Sequence, residues 1–208
     1  ASSILLEGLK RMEYRGYDSA GIAVWADASV WCQKAVGKID GLEEKMRSVT
    51  VPEGTIGIGH TRWATHGGVT EANAHPHTDC TGSMWLAHNG IVENYKELKE
   101  KLIAAGHRFV SETDTEVIAH LIEATSYKLQ ATSFEEAVRL ALKQIRGTWG
   151  LAILNKNEPD KLIAARNFSP LLLGIGDNEY FVASDASAVL KHTKNVIYLD
   201  DGEMAVLT

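Results

Sequence analysis

The chain has 208 residues, 45% of them hydrophobic, which is enough for one substantial core and within the usual span of a single domain. Twenty-seven acidic residues against 21 basic ones leave a net charge of −6, spread without blocks of like sign, which argues against a nucleic-acid or anionic-membrane partner. The longest apolar runs, such as Gly150 to Leu154, are strand-sized and far short of the roughly 20 residues a membrane helix needs.

Ile4, Leu5, Leu9 and Met12 recur at helical spacing and predict an amphipathic helix over residues 3–13, with Ser3 as its N-cap. The first ten residues lack the basic flank, long apolar region and cleavage site of a signal peptide. Arg15 to Ser19 breaks the helical period. Ile22 to Trp25 and Val30 to Val36 then read as two strands around Asp27, followed by a charged helix from Asp40 to Val49. Thr55 to His60 alternates small or polar with apolar residues, as a strand does, and passes into Thr61 to Gly68, a segment rich in chemistry and closed by two glycines, read as a mobile loop.

Met84 to His88 reads as another strand. Asn89-Gly90 is by itself a hairpin signal, but only two residues separate it from a helix over Asn94 to Gly106, with an Asn cap and a C′ glycine, so strand, functional turn and helix is the preferred order. Thr113-Asp-Thr-Glu116 has the capping-box pattern and opens a helix bearing Val117, Ile118, Leu121 and Ile122; Ser133-Phe-Glu-Glu136 repeats the device for Ala137, Val138, Ala141, Leu142 and Ile145. Beyond Gly150 come short strands at Leu151 to Asn155, Lys161 to Arg166, Leu171 to Ile175 and Tyr180 to Ser184. A short helix follows Asp185, and a last strand pair is expected around Asp201-Gly202. Such short connections favour antiparallel pairing, and strand clusters interrupted by helix pairs predict an α+β layered fold. No repeat, low-complexity tract or linker divides the chain, so residues 1–208 read as one domain. Cys32 and Cys80 are the only cysteines, with neither a CxxC pair nor a disulfide-dense pattern, which fits a reducing cytosol.

The run Gly57-Ile-Gly-His-Thr-Arg-Trp-Ala-Thr-His-Gly-Gly68 concentrates the candidate chemistry. Together with Glu13-Tyr-Arg-Gly-Tyr-Asp-Ser-Ala-Gly21, Asn73-Ala-His-Pro-His77, His88-Asn-Gly90 and Ser111-Glu-Thr-Asp-Thr-Glu116, it closely resembles the glutaminase domain of the glutamine–fructose-6-phosphate aminotransferase (isomerizing) family, a branch of the class II glutamine amidotransferases. All five blocks occur in that family's order and span most of the chain. The resemblance implies the four-layer αββα sandwich of N-terminal-nucleophile hydrolases and hydrolysis of L-glutamine to glutamate and ammonia. It also implies delivery of ammonia to a sugar isomerase domain for synthesis of glucosamine 6-phosphate from fructose 6-phosphate, and a homodimer formed through the rest of the enzyme. No cofactor is implied.

Hydrolysing an amide side chain requires a nucleophile, a base, donors for the tetrahedral oxyanion and groups that grip the free amino acid. Arg62 carries a planar fork suited to a carboxylate, and the resemblance puts it on the substrate α-carboxylate with Thr65 and His66. Asn89 and Gly90 offer a side-chain NH₂ and an unencumbered backbone N–H side by side; the resemblance makes them the oxyanion hole. Asp114, which a capping role alone would explain, is implied as the partner of the substrate ammonium. Both roles hold together only if Thr113 does the capping. Arg15 is implied beside the nucleophile, where a guanidinium favours a thiolate; an ion pair with Asp18 or Glu13 is its simpler reading. Trp63 reads as a wall or gate. His60, His66, His75 and His77 are of a residue type that can ligate zinc, but no helix spacing of the HExxH kind supports them, and no metal site is expected.

Three rivals stand beside this reading: another class II amidotransferase such as the phosphoribosyl-pyrophosphate enzyme, a non-catalytic glutamine-binding module, and a metal hydrolase. The family's nucleophile is an N-terminal cysteine, with its own α-amino group as base, on a strand of the form Cys-Gly-Ile-Val-Gly. Ala1 to Glu7 matches the helix after that strand, so the 208 residues are expected to start inside the domain with its first strand missing, to be inactive by themselves, and to be prone to aggregation. Neither Cys32 nor Cys80 has the free amine that activates such a thiol.

Overall fold

The computed structural model describes residues 1–128 and 132–208. The chain runs α1 (Ser2–Arg11), β1 (Ser19–Ala26), β2 (Ser29–Val36), α2 (Ile39–Arg47), β3 (Ile56–Arg62), β4 (His77–Thr78), β5 (Met84–Val92), α3 (Tyr95–Ala104), α4 (Thr115–Lys128) and α5 (Phe134–Leu142). Six further strands follow: β6 (Gly147–Asn155), β7 (Leu162–Asn167), β8 (Leu172–Ile175), β9 (Tyr180–Ala183), β10 (Val196–Tyr198) and β11 (Met204–Leu207). They form three sheets, ordered β2-β1-β3, β10-β8-β9 and β11-β7-β6-β5-β4. Every pairing among them is antiparallel, as the short connections predict.

The period-two alternation of the central strands builds the layers. In β1, Ile22 and Val24 face α1 and α2 and pack with Leu9, Ile39, Leu42 and Met46. Ala23, on the other side, joins Ile58, Ala87 and Leu154 between the sheets. In the five-stranded sheet the same rule sends Leu86, Leu151 and Ile153 outward against Val117, Ile118, Ile122 and Val138 of α4 and α5. The result is α1 and α2, a sheet layer, a second sheet, then α3 to α5: the αββα sandwich that the resemblance implies. Alanines where the sheets meet let them approach closely, while the bulk lies under the helices. Each fully buried Ile or Leu there contributes about 1.5–3 kcal/mol. The β10-β8-β9 sheet covers the β7 and β11 end of the large sheet through Leu171, Leu199 and Ala164, and its other face meets Met12 through Leu172 and Ala183.

Several local expectations are corrected. Ser3 does not cap α1; it lies inside the helix, whose N-cap position is Ala1, and the Ala1 carbonyl accepts from Leu5 N at 3.0 Å. Asn89-Gly90 is not a turn. The strand runs through it to Val92, pairing Asn89 with Gly150 and Gly90 with Trp149, because the partner strand starts at Gly147 rather than Leu151 and supplies the ladder. Asn94 occupies the N-cap position of α3 without capping it; its side chain donates to Gln144 O and accepts from Arg146 N, both at 2.9 Å. Asp201-Gly202 does not join a hairpin, since β10 pairs with β8 and β11 with β7, so this turn passes the chain from one sheet to another. The two-residue strand β4 had no sequence signal. Other turn chemistry holds: Asp27 and Ala28 both take positive φ in the β1–β2 turn, Gly106 at φ +97° ends α3, and Ser133 accepts from Glu136 N at 3.2 Å to cap α5. No helix among the described residues is long and apolar enough to cross a membrane.

Candidate active site

A cleft of about 470 Å³ runs beneath α1, between β3 and β9, with Ala87, Gly150 and Ala152 of the large sheet in its floor. Arg15, Arg62, Trp63, Thr65, His66, Asn89, Gly90 and Asp114 all line it. Residues spread over 100 positions of sequence meet there because β3 and β5 both end at the cleft and α4 starts beside it.

Arg62 is 3% exposed. Its guanidinium donates to the carbonyls of His66 (2.6 Å), Gly67 (3.3 Å) and Gly68 (3.1 Å), and lies 3.4 Å from Asp18 Oδ1. Asp18 in turn accepts from Ala64 N and from Ser19 Oγ. The far side of the same loop is held by Asn73, which donates to Gly68 O at 2.9 Å, and by Glu112, which accepts from Gly68 N at 3.1 Å. The segment after β3 is thus tied on two sides, and Arg62 organises it. Thr65 and His66 sit on that loop, Thr65 Oγ1 lying 3.3 Å from His66 Nδ1.

Asp114 is 3% exposed and sits immediately before α4. Thr113 Oγ1 accepts from Glu116 N at 3.4 Å and so does the capping, while the Glu116 carboxylate reaches back to Val110 N (2.8 Å) and Ser111 N (2.7 Å). That leaves the Asp114 carboxylate to other work. Oδ2 accepts from Val92 N at 2.7 Å, and Oδ1 lies 3.6 Å from His66 Nδ1.

Even-numbered amides of β5 face the edge away from β6: His88 N donates to His75 Nδ1 and Val92 N to Asp114. By strand alternation Gly90 N points the same way, between them. Gly90 has φ +144°, and a Cβ there would stand 2.1 Å from the Thr148 carbonyl oxygen, so only glycine fits. His88 lies beneath this edge. Its Nε2 is 3.1 Å from Thr148 O, a pure acceptor, so Nε2 carries the proton and Nδ1 accepts from the Thr115 hydroxyl at 2.9 Å. Burial lowers the His88 pKa and keeps the ring neutral. One imidazole therefore joins β5, β6 and the start of α4 under Asn89 and Asp114.

Arg15 pairs neither with Asp18 nor with Glu13, the simpler partners read from sequence. It reaches across the cleft to Asp185 (3.0 Å) and Ser184 Oγ (3.2 Å), and Tyr14 donates to the same Asp185 carboxylate at 2.7 Å. Trp63 is 70% exposed, and its ring covers Gly16, where a Cβ would stand 2.5 Å from it. His60 stacks on His75 with 4.2 Å between centroids, His77 meets His75 edge-on at 4.7 Å, and His66 packs edge-on against Tyr95. Burial pushes His60 and His77 down to about 3 and His75 well below its ordinary range, so the rings are neutral. His75 accepts from His88 N and His77 bonds Thr113 Oγ1, while the buried His60 Nδ1 has no partner among the described residues and that ring serves as packing.

Neither cysteine lines the cleft. Cys32 lies in β2 against the layer between the sheets, where burial raises its thiol to about 11, and Cys80 follows β4. The residues that sequence reasoning missed are the supports: Asp18, Asn73, His88, Glu112, Thr115 and Thr148. Asp18, Asn73, His88, Glu112 and Thr115 stood inside the recognised blocks, whereas Thr148 had no signal apart from strand pairing.

Residues 60–191 match the family model described as "Glutamine amidotransferase domain". The whole chain aligns at 52% identity over 209 residues with glutamine–fructose-6-phosphate aminotransferase [isomerizing] of Pyrococcus horikoshii, and at 50% over 210 residues with that of Chlorobaculum tepidum. It spans about a third of their length, 34% in each case. Among solved structures, glutamine phosphoribosylpyrophosphate amidotransferase from B. subtilis superposes with a TM-score of 0.82 at 28% identity, over 99% of this chain and 44% of that one. A predicted glutamine amidotransferase from Pseudomonas aeruginosa gives 0.58 at 18% identity over 91% and 84%, a likeness of fold alone.

Proposed function

Because this chain belongs to the glutamine amidotransferase domain family, we propose that its cleft binds L-glutamine and polarises the side-chain amide for hydrolysis, the ammonia passing to a sugar-phosphate domain in the manner of glutamine–fructose-6-phosphate aminotransferases. The observation that carries this reading is the convergence of Arg62, Asp114 and the Asn89-Gly90 edge on one cleft. A free amino acid presents a carboxylate, an ammonium and a reacting carbonyl, and these three features offer a cation, an anion and paired N–H donors.

Asp114, with its capping duty taken by Thr113, meets the ammonium through Oδ1. Arg62 faces the α-carboxylate with Thr65 and His66, its hold on the loop carbonyls setting where that loop stands. The Asn89 amide and Gly90 N–H aim at the oxygen that becomes negative when the carbonyl turns tetrahedral, and the neutral His88 fixes that strand edge without adding charge. The nucleophile implied by the resemblance is an N-terminal cysteine, and the part of the residues named here is to bind, orient and stabilise. Arg15, on the cleft wall, biases the site toward a thiolate. Trp63 closes the cleft mouth as a wall or gate. Identity near 50% with the sugar branch, against 28% with the phosphoribosyl-pyrophosphate enzyme, favours fructose 6-phosphate as the eventual ammonia acceptor. The two free cysteines suit a reducing cytosol.

Calorimetric titration with L-glutamine, run beside an ammonia-release assay, tests the reading. Asp114→Asn, which retains an acceptor for Val92 N, is expected to weaken glutamine binding roughly 10- to 100-fold through loss of a charge-assisted contact, and Arg62→Ala to weaken it at least as much. Unchanged glutamine affinity in both variants would remove the substrate from this cleft.

A further inference from the structure

Away from the cleft, four side chains from three separate stretches of chain bring their ligand atoms to one point: Cys80 Sγ, His107 Nδ1, His120 Nδ1 and Glu123 Oε2 lie within 4.8 Å of one another. We propose that this cluster is a structural site for one zinc-class divalent cation.

The spacings suit an ion at the centre. With Zn–S near 2.3 Å and Zn–N or Zn–O near 2.0–2.2 Å, a tetrahedron has S···N edges of about 3.5 Å and N···O edges of about 3.4 Å. Cys80 Sγ stands 3.4 Å from His120 Nδ1 and 3.6 Å from His107 Nδ1; Glu123 Oε2 stands 3.0 Å from His107 Nδ1 and 3.5 Å from His120 Nδ1. Thiolate, imidazole and carboxylate together form a donor set that suits zinc, and four protein donors leave no open position, the pattern of a structural site.

The surroundings point the same way. His120 Nε2 is 3.3 Å from the Glu116 carboxylate, which only accepts, so in the neutral ring Nε2 holds the proton and Nδ1 turns a lone pair toward the sulfur and the Glu123 oxygen. Lone pairs gathered around one point want a cation between them, and a carboxylate behind a ligand imidazole is the usual outer support of a metal site. Glu116 is itself held by Val110 N and Ser111 N. Arg108 N donates to Cys80 Sγ at 3.4 Å, which fixes the position of the sulfur at the cluster. Cys80 is exposed while His120 and Glu123 are buried, so an ion has a way in and a closed seat once there. The ion would tie the turn after β4, the exit of α3 and one face of α4 together, bracing the helix whose start carries Thr115 beside the cleft.

The test is cobalt(II) titration of the purified, metal-stripped protein, with zinc content measured on the protein as isolated. We expect about one ion per chain, a thiolate-to-cobalt charge-transfer band with the strong visible absorption of four-coordinate cobalt, displacement of that spectrum by zinc, and a zinc-induced rise in Tm of about 5 °C or more. Cys80→Ser should lose the charge-transfer band, and His107→Ala the tight binding. The wild-type titration decides the matter even if a variant fails to fold. No four-coordinate spectrum and no Tm response in the wild type, or the same charge-transfer band in folded Cys80→Ser, would overturn the site.

Discussion

His60, His75 and His77 form a cluster of neutral rings that governs the response to acid. Burial holds His60 and His77 at about 3, against an ordinary imidazole value near 6.5. Above pH 6.5 the folded and unfolded states both carry neutral rings and the full stability is present. As pH falls from 6.5 toward 3 the unfolded chain takes up protons that the folded chain refuses, so stability is lost through that window. Glu116, held near 2 by hydrogen bonds from His120, Ser111 and Val110 that outweigh its burial, loses its contribution only between about 4.5 and 2. Urea unfolding at pH 7, 6 and 5 should therefore show a decline of about 2 kcal/mol per buried imidazole by pH 5. His77→Gln, which keeps a polar group near Thr113, should flatten that decline by one proton's worth. A wild-type stability independent of pH across this range would mean that the ring cluster is solvated or already charged.

At the scale of elements, the β5–β6 pair carries the site, and two glycines make its geometry available. Gly147 sits at φ +134°, where a Cβ would stand 2.0 Å from the Ile91 carbonyl oxygen; Gly90, diagonally across the ladder, is equally tight against Thr148. Gly147→Ala touches no proposed substrate group, yet it should cost about 2–4 kcal/mol through backbone strain and clash, read by chemical denaturation. A loss below about 0.5 kcal/mol would show that the strands tolerate a wider separation there. This pair is also where the sequence misled. Asn-Gly is a strong hairpin signal locally, but long-range pairing with residues 147–155 overrides it and draws the dipeptide into a strand. The helices were legible because their signals are local: Ser133 capping α5, Gly106 ending α3, and the buried row Val117, Ile118, Leu121 and Ile122 on α4. Strand partners and sheet crossings, such as the passage at Asp201-Gly202, depend on distant chain and left no local trace.

For the whole molecule, the recognised blocks located the cleft better than any pattern of polarity did, because they gather residues from β3, β5 and the start of α4 that only the sandwich brings together. What they could not give was the wiring: that Arg62 spends its donors on loop carbonyls, that Thr113 frees Asp114 from capping, or that Arg15 crosses to Asp185. The cluster of Cys80, His107, His120 and Glu123 escaped for a similar reason, since only His120 and Glu123 share a helix and two ligands at that spacing are common on solvated surfaces. In the proposed reaction the Asn89-Gly90 edge of β5 meets charge that develops during amide hydrolysis. Steady-state glutaminase kinetics of Asn89→Ala in the intact enzyme isolate that contact. The expected result is a fall in kcat of roughly 10² to 10³ with KM changed only a few-fold, since the lost contact belongs to the transition state. A kcat within a few-fold of wild type, with any loss confined to KM, would contradict it.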